Sequence, residues 1–111
     1  MSKSLRLSEI KLTDPFFSGF DELVRREVIP YQWETLNDRV EGAAPSYCMR
    51  NFRVAAKQLG HGFEDEPADR FDGFCFQDTD FHKWIEAVGY SLATHPDEEL
   101  MRLADEAIDT V

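Results

Sequence analysis

The strongest constraint in this chain is the spacing of its apolar residues. They recur every three or four positions over most of its length, the period of an amphipathic helix. Asp14–Pro15 has the form of a helix start, a capping acid followed by proline at the first helical position. Behind it come Phe16, Phe20, Leu23, Val24 and Val28 on one stripe. Pro30 removes a backbone donor and predicts that the helix ends or kinks there. The pattern resumes with Ile29, Trp33, Leu36 and Val40. After the break Gly42-Ala-Ala-Pro45, Ser46 is placed to cap a helix carrying Cys48, Phe52, Ala55, Ala56 and Leu59, with Gly60 as its stop. Phe81, Trp84, Ile85, Val88 and Leu92 form the next stripe. A last helix is predicted from Pro96, with Asp97, Glu98 and Glu99 in its first turn, carrying Leu100, Leu103, Ala104, Ala107, Ile108 and Val111. The short turn between these two helices predicts an antiparallel hairpin.

Two features depart from this pattern. Residues 4–13 alternate (Leu5, Leu7, then Ile10, Leu12) with one slip of phase at Ser8–Glu9, which predicts a short strand with a bulge. No second strand is evident to pair with it. Residues 60–73, GHGFEDEPADRFDG, carry three glycines, a proline and five acids and read as a long loop. Loops of that length commonly carry function or lie against another element. The final stripe runs to Val111 with no closing glycine or proline. The lone strand and the open stripe together lead to the expectation of helices shaped to be covered by further polypeptide. The domain reading is a strand segment at 1–13 and a helical domain at 14–111. The fold class is all-α: two helical hairpins plus a short N-terminal strand.

Charge excludes several functions. The 22 acids outnumber the 12 Lys and Arg, for a formal net charge of −10, and such a surface repels nucleic acid and anionic membranes. No apolar run approaches the ~20 residues of a membrane span, and the N-terminal stretch lacks the apolar core of a secretory signal. Cys48 and Cys75 stand apart, in no CxxC pair, and suit a reducing, cytoplasmic setting; spacing leaves a disulfide between them open. His61, His82 and His95 fit no metal-ligand spacing, and no nucleophile or phosphate-loop motif occurs.

The candidate binding residues lie in two stretches. In FCFQDTDFHKW, residues 74–84, one of Asp78, Thr79 or Asp80 suffices to cap the following helix. Gln77 and the second acid are then surplus, set among Phe76, Phe81 and Trp84, a composition suited to holding sugar hydroxyls beside rings. Asp78 and Asp80 are not a glycosidase pair, because side chains two apart on a helix diverge. In IPYQWETLNDR, residues 29–39, Trp33 belongs to the apolar stripe, while Tyr31 and Gln32 are placed to rim a pocket at the proline. The expected substrate-binding set is Gln77, Asp78, Asp80 and Gln32, with no catalytic and no metal-binding residue in the chain.

The phrases VIPYQWETLNDR, NFRVAAKQL and FCFQDTDFHKWIEAVGYSLATHPDEELMRLADEAID resemble the opening segment of glycoside hydrolase family 127, the β-L-arabinofuranosidases, over roughly residues 12–111. Tyr47 departs from the histidine expected in the family pattern, and the loop at 64–70 is more acidic and longer. The resemblance implies an (α/α)₆ barrel, of which these helices form an incomplete first part, followed by β-sandwich domains. It implies retaining hydrolysis of arabinofuranosides by a zinc-bound cysteine with a glutamate acid/base. Nucleophile, acid/base and zinc ligands all fall beyond the matched segment, and Cys48 and Cys75 do not correspond to them. The chain alone is therefore expected to be inactive and to hold no cofactor. Its expected partners are a carbohydrate substrate for the complete enzyme, and the remaining barrel and β-sandwich domains or further copies of itself. The rival expectation is a standalone acidic helical module that binds protein through Phe16, Phe17 and Trp33.

Overall fold

A computed structural model describes residues 3–61 and 67–111; part of the acidic 64–70 feature lies outside them. The described residues form five α-helices: α1 Pro15–Leu23, α2 Ile29–Leu36, α3 Cys48–His61, α4 Asp78–Thr94 and α5 Glu98–Thr110. The local signal at Asp14 acts as the sequence predicts. Its Oδ1 accepts from the amides of Phe16 at 3.0 Å and Phe17 at 2.9 Å, and Pro15 follows where a donor would be wasted.

Pro30 neither ends nor breaks the helical path. A π-helical turn, Val24–Val28, joins α1 to α2, and the Ile29 amide reaches back five residues to the Val24 carbonyl. Widening the turn just before the proline is one of the few ways a helix absorbs a missing donor and a bulky ring.

The N-terminal strand is not formed. Leu7–Glu9 is a 3₁₀ turn, and no strand occurs among the described residues. With no partner chain segment, the backbone satisfies itself locally: the Glu9 carboxylate, at the slip in phase, accepts from the Arg6 amide at 2.8 Å. Leu5, Leu7, Ile10 and Leu12 stay exposed.

The core gathers on α4. Phe81, Trp84 and Val88 of α4 join Ile29, Trp33 and Leu36 of α2, Cys48 and Met49 at the start of α3, and Leu100, Ala104 and Ala107 of α5. The two tryptophan rings stack at 4.7 Å, and the Trp84 indole donates to the Ile29 carbonyl at 2.9 Å. Trp33 is 1% exposed, so it is part of the core and offers nothing to a protein partner. The turn between α4 and α5 is capped by Asp97, which accepts from the Leu100 amide at 3.0 Å. The last helix thus begins at Glu98, two residues later than Pro96 predicts.

The second half of the long loop is latched to one face of α3. Asp69 pairs with Lys57, and the Asp69 carbonyl accepts from Gln58 at 2.8 Å. Arg50 pairs with Asp72 and donates to the Ala68 carbonyl at 3.0 Å, and Asn51 exchanges two hydrogen bonds with the Asp72 backbone.

Beyond this core the stripes are open. No residue of α1 is buried, and Phe16, Phe17 and Phe20 are 65%, 60% and 53% exposed. Leu59, Ile108 and Val111 are likewise exposed. The radius of gyration is 17.3 Å, against about 13 Å for a compact domain of this length. The accessible surface is 8308 Å², about 2,000 Å² above the value that scaling gives for a compact monomer of this mass.

Candidate functional site

A cleft of about 550 Å³ lies between α2 and the start of α4, with the 44–46 loop as its third wall. From α2 come Tyr31, Gln32, Thr35 and Leu36; from α4 come Asp80, Lys83, Trp84 and Ala87, spaced to share one helical face. Gln77, at the N-cap position of α4, and Ser46 close one end.

Gln77, Asp80 and Gln32 therefore converge from separate stretches of chain. Asp78 is not part of this lining. Two residues from Asp80, it turns to another side of α4 and lies 3.7 Å from the His82 imidazole. Lys83 is the charged lining residue that no sequence motif marks, and Thr35, Ala44 and Ala87 line the cleft without a motif as well. The signal for Lys83 was the spacing: it is three residues after Asp80 and beside Trp84, whose ring fixes which face of α4 turns inward.

Neither acid caps α4. The helix begins at Asp78, so both acids lie inside its first turn, where they face the positive end of the helix dipole, and the N-cap residue Gln77 makes no side-chain cap bond. Thr79 donates its hydroxyl back to the Phe76 carbonyl at 2.8 Å. Gln77 instead spans two loops. Its Nε2 donates to the Ser46 carbonyl, and its Oε1 accepts from the Phe74 amide at 3.2 Å. Gly73 makes room for this with a φ of +91°.

Ser46 does not cap α3 either. Its own amide and that of Tyr47, both ahead of the first helical residue Cys48, are taken by the carboxylate of Asp38, two residues past the end of α2, the latter at 3.1 Å to Oδ2.

Chemically the cleft offers hydrogen-bonding groups of both kinds around a floor to which the almost fully buried Trp84 contributes. It offers no nucleophile hydrogen-bonded to a base. Cys48 is buried, and that burial pushes its thiol up, with the negative charges of Asp80, Asp78 and Asp38 acting the same way against a hydrogen bond from the Phe81 backbone. A thiol held protonated is neither a metal ligand nor a nucleophile at neutral pH. Among the described residues no group of three His, Cys, Asp or Glu side chains could hold a metal ion. No helix among the described residues is long and apolar enough to cross a membrane.

Residues 9–111 match the family model for the β-L-arabinofuranosidase GH127 catalytic domain. A non-reducing end β-L-arabinofuranosidase from Bifidobacterium longum subsp. longum is 34% identical over 114 residues, which cover 92% of this chain and 16% of that protein. A crystal structure of a GH127 β-L-arabinofuranosidase from Geobacillus stearothermophilus T6 superposes with a TM-score of 0.76 at 47% identity, over 90% of this chain and 14% of that one. The chain thus spans about one sixth of the length of the relatives it matches. The likeness makes its packed helices part of a helical barrel, and an independent interaction module is not the reading it favours. On sequence and on fold alike, this chain belongs to the GH127 β-L-arabinofuranosidase catalytic-domain family.

Proposed function

We propose that these 111 residues supply one wall of the sugar site of a β-L-arabinofuranoside hydrolase, while the bond-breaking groups come from polypeptide outside them. In this reading Gln32, Gln77 and Asp80 hold sugar hydroxyls in the cleft, with the Trp84 edge and Tyr31 beside the ring. Asp78, on another side of α4, adds negative charge to the helix start rather than a contact. Further barrel polypeptide of the same enzyme covers α1 and the exposed end of α5; in the chain by itself, a second copy takes that place. The buried and the exposed free cysteine suit a reducing cytoplasm.

The observation that carries the reading is the convergence of three polar side chains, from two stretches of chain far apart in sequence, on one cleft floored by a buried indole. Exposed apolar surface on α1 and the excess accessible area support the covering polypeptide. The direct test replaces the counterparts of Gln77 and Asp80 by alanine in a full-length relative. Each loss of a sugar hydrogen bond should lower kcat/KM about tenfold, the effect of roughly 1.4 kcal/mol. Unchanged kinetics with unchanged stability would refute the site. The 111-residue chain alone should release no arabinose from an aryl β-L-arabinofuranoside.

A further inference from the structure

We infer that Asp38, which does not line the sugar cleft, is the residue that positions its third wall; the inference rests on the proposed sugar-site reading. Asp38 ends α2 in a left-handed conformation, φ +58°, which a short acidic side chain tolerates better than most. From there its carboxylate accepts the amides of Ser46 and Tyr47, eight and nine residues on. Tyr47 is itself left-handed, φ +59°, and its carbonyl accepts the first amide bond of α3, from Asn51 at 2.9 Å. On the opposite side of the same peptide, the Ser46 carbonyl takes the Gln77 side-chain amide.

The wall is therefore a relay. A carboxylate just past the end of α2 holds the amide of Ser46, and the carbonyl of Ser46 holds Gln77, whose Oε1 in turn holds Phe74. Two unfavourable φ values persist at Asp38 and Tyr47 because the charged acceptor sits between them. If the acceptor goes, Ser46 is free to turn and Gln77 loses the contact that aims it into the cleft. Asp38 thus acts on bound sugar through Gln77, without touching it.

Two variants of this chain test the relay. Asp38→Gly keeps the left-handed backbone at no steric cost and removes the carboxylate. Asp38→Asn keeps one acceptor oxygen and the backbone preference. The readouts are hydrogen exchange at the Gln77 side-chain amide and the Phe74 backbone amide, and the affinity for methyl β-L-arabinofuranoside by NMR titration. In Asp38→Gly, exchange at both positions should quicken and affinity should fall about tenfold, the usual effect of losing a charge-assisted hydrogen bond, while thermal unfolding stays cooperative. Asp38→Asn should fall between. Unaltered Gln77 and Phe74 exchange in both variants overturns the inference, as does a wild-type chain that binds the sugar with an affinity neither variant changes. A wild-type chain that ignores the sugar, with Gln77 exchange still released by Asp38→Gly, upholds the relay and sinks the sugar reading alone.

Discussion

The stacked tryptophans at the centre of the core give a sharp test of the packing, because their two indole N–H groups differ. Trp84 donates to the Ile29 carbonyl at 2.9 Å, whereas the Trp33 N–H is buried with no hydrogen-bond partner. Both side chains are almost fully buried, at 3% and 1% exposure. Replacing either by phenylalanine removes a similar volume and weakens the same stack, a shared loss of about 2 kcal/mol. The remaining contributions have opposite signs. Trp84→Phe also removes a hydrogen bond, a further loss of about 1 kcal/mol. Trp33→Phe removes a polar group buried without a partner, which returns about 1 kcal/mol. Trp84→Phe should therefore cost about 3 kcal/mol and Trp33→Phe about 1 kcal/mol. For a domain of this size the gap corresponds to a melting difference on the order of 10 °C. Urea and thermal unfolding followed by far-UV circular dichroism measure it directly. Equal costs for the two variants, or a larger one for Trp33→Phe, would show that the hydrogen-bond assignment across the α2–α4 contact is wrong.

Gly73→Ala should destabilise the chain by at least about 1 kcal/mol, since φ is +91° and the new Cβ would lie 3.1 Å from the Gln77 Oε1; the Gln77 side-chain resonances should shift with it. A thiol reagent should label Cys75 quickly and Cys48 only on unfolding, because Cys48 is buried and its thiol is pushed up; two fast thiols in the native protein would contradict the core. The Arg39 guanidinium grips Glu34 through two hydrogen bonds, of 2.8 and 2.7 Å, and holds its carboxyl below the usual range. That stabilisation is complete above the unfolded carboxylate value and is lost as pH falls through the lower folded one. The pair is nearly half exposed, so its part is under about 1 kcal/mol, and Arg39→Gln should flatten the acid limb of a stability profile by that amount. Finally, sedimentation velocity should find the isolated chain self-associated, and Phe16→Glu with Phe20→Glu should shift it to monomer; a monodisperse monomeric wild type would remove the case for a covered α1 face.

What could be read in advance divides by the range of the interaction. The Asp14 cap was legible because donor and acceptor lie within three residues, as were the core faces of α4 and α5, which need only a period of 3.6. Ser46 was assigned a cap, yet it is its own amide that is held, by Asp38, through a geometry that depends on two left-handed residues and a turn with no local signature. The strand at 4–13 failed for a different reason: alternation describes a side-chain pattern, and a strand needs a neighbour to pair with. On α1 the stripe was real but said nothing about its cover, and its phenylalanines remain exposed. At the site, the surplus of polar groups around residue 77 was visible, yet which acid turns into the cleft was not. That was settled by the first helical residue being Asp78, which sends Asp80 and Lys83 to the same side as Trp84.

Gln77 was singled out as surplus to the helix cap and so free for binding, yet it carries two structural hydrogen bonds. A primary amide has two N–H donors and an oxygen with two lone pairs. The Ser46 carbonyl uses one donor and the Phe74 amide uses one lone pair, which leaves one of each for a hydroxyl that can both give and accept. A free glutamine would surrender rotamer freedom on gripping a sugar, a cost of up to about 2 kcal/mol. Gln77 has already surrendered it on folding, held between two loops, so each remaining hydrogen bond is available at nearly full strength. If Gln77 binds sugar as proposed, the two structural bonds are what prepare the amide for it, and loosening either loop should weaken binding even with every cleft side chain intact.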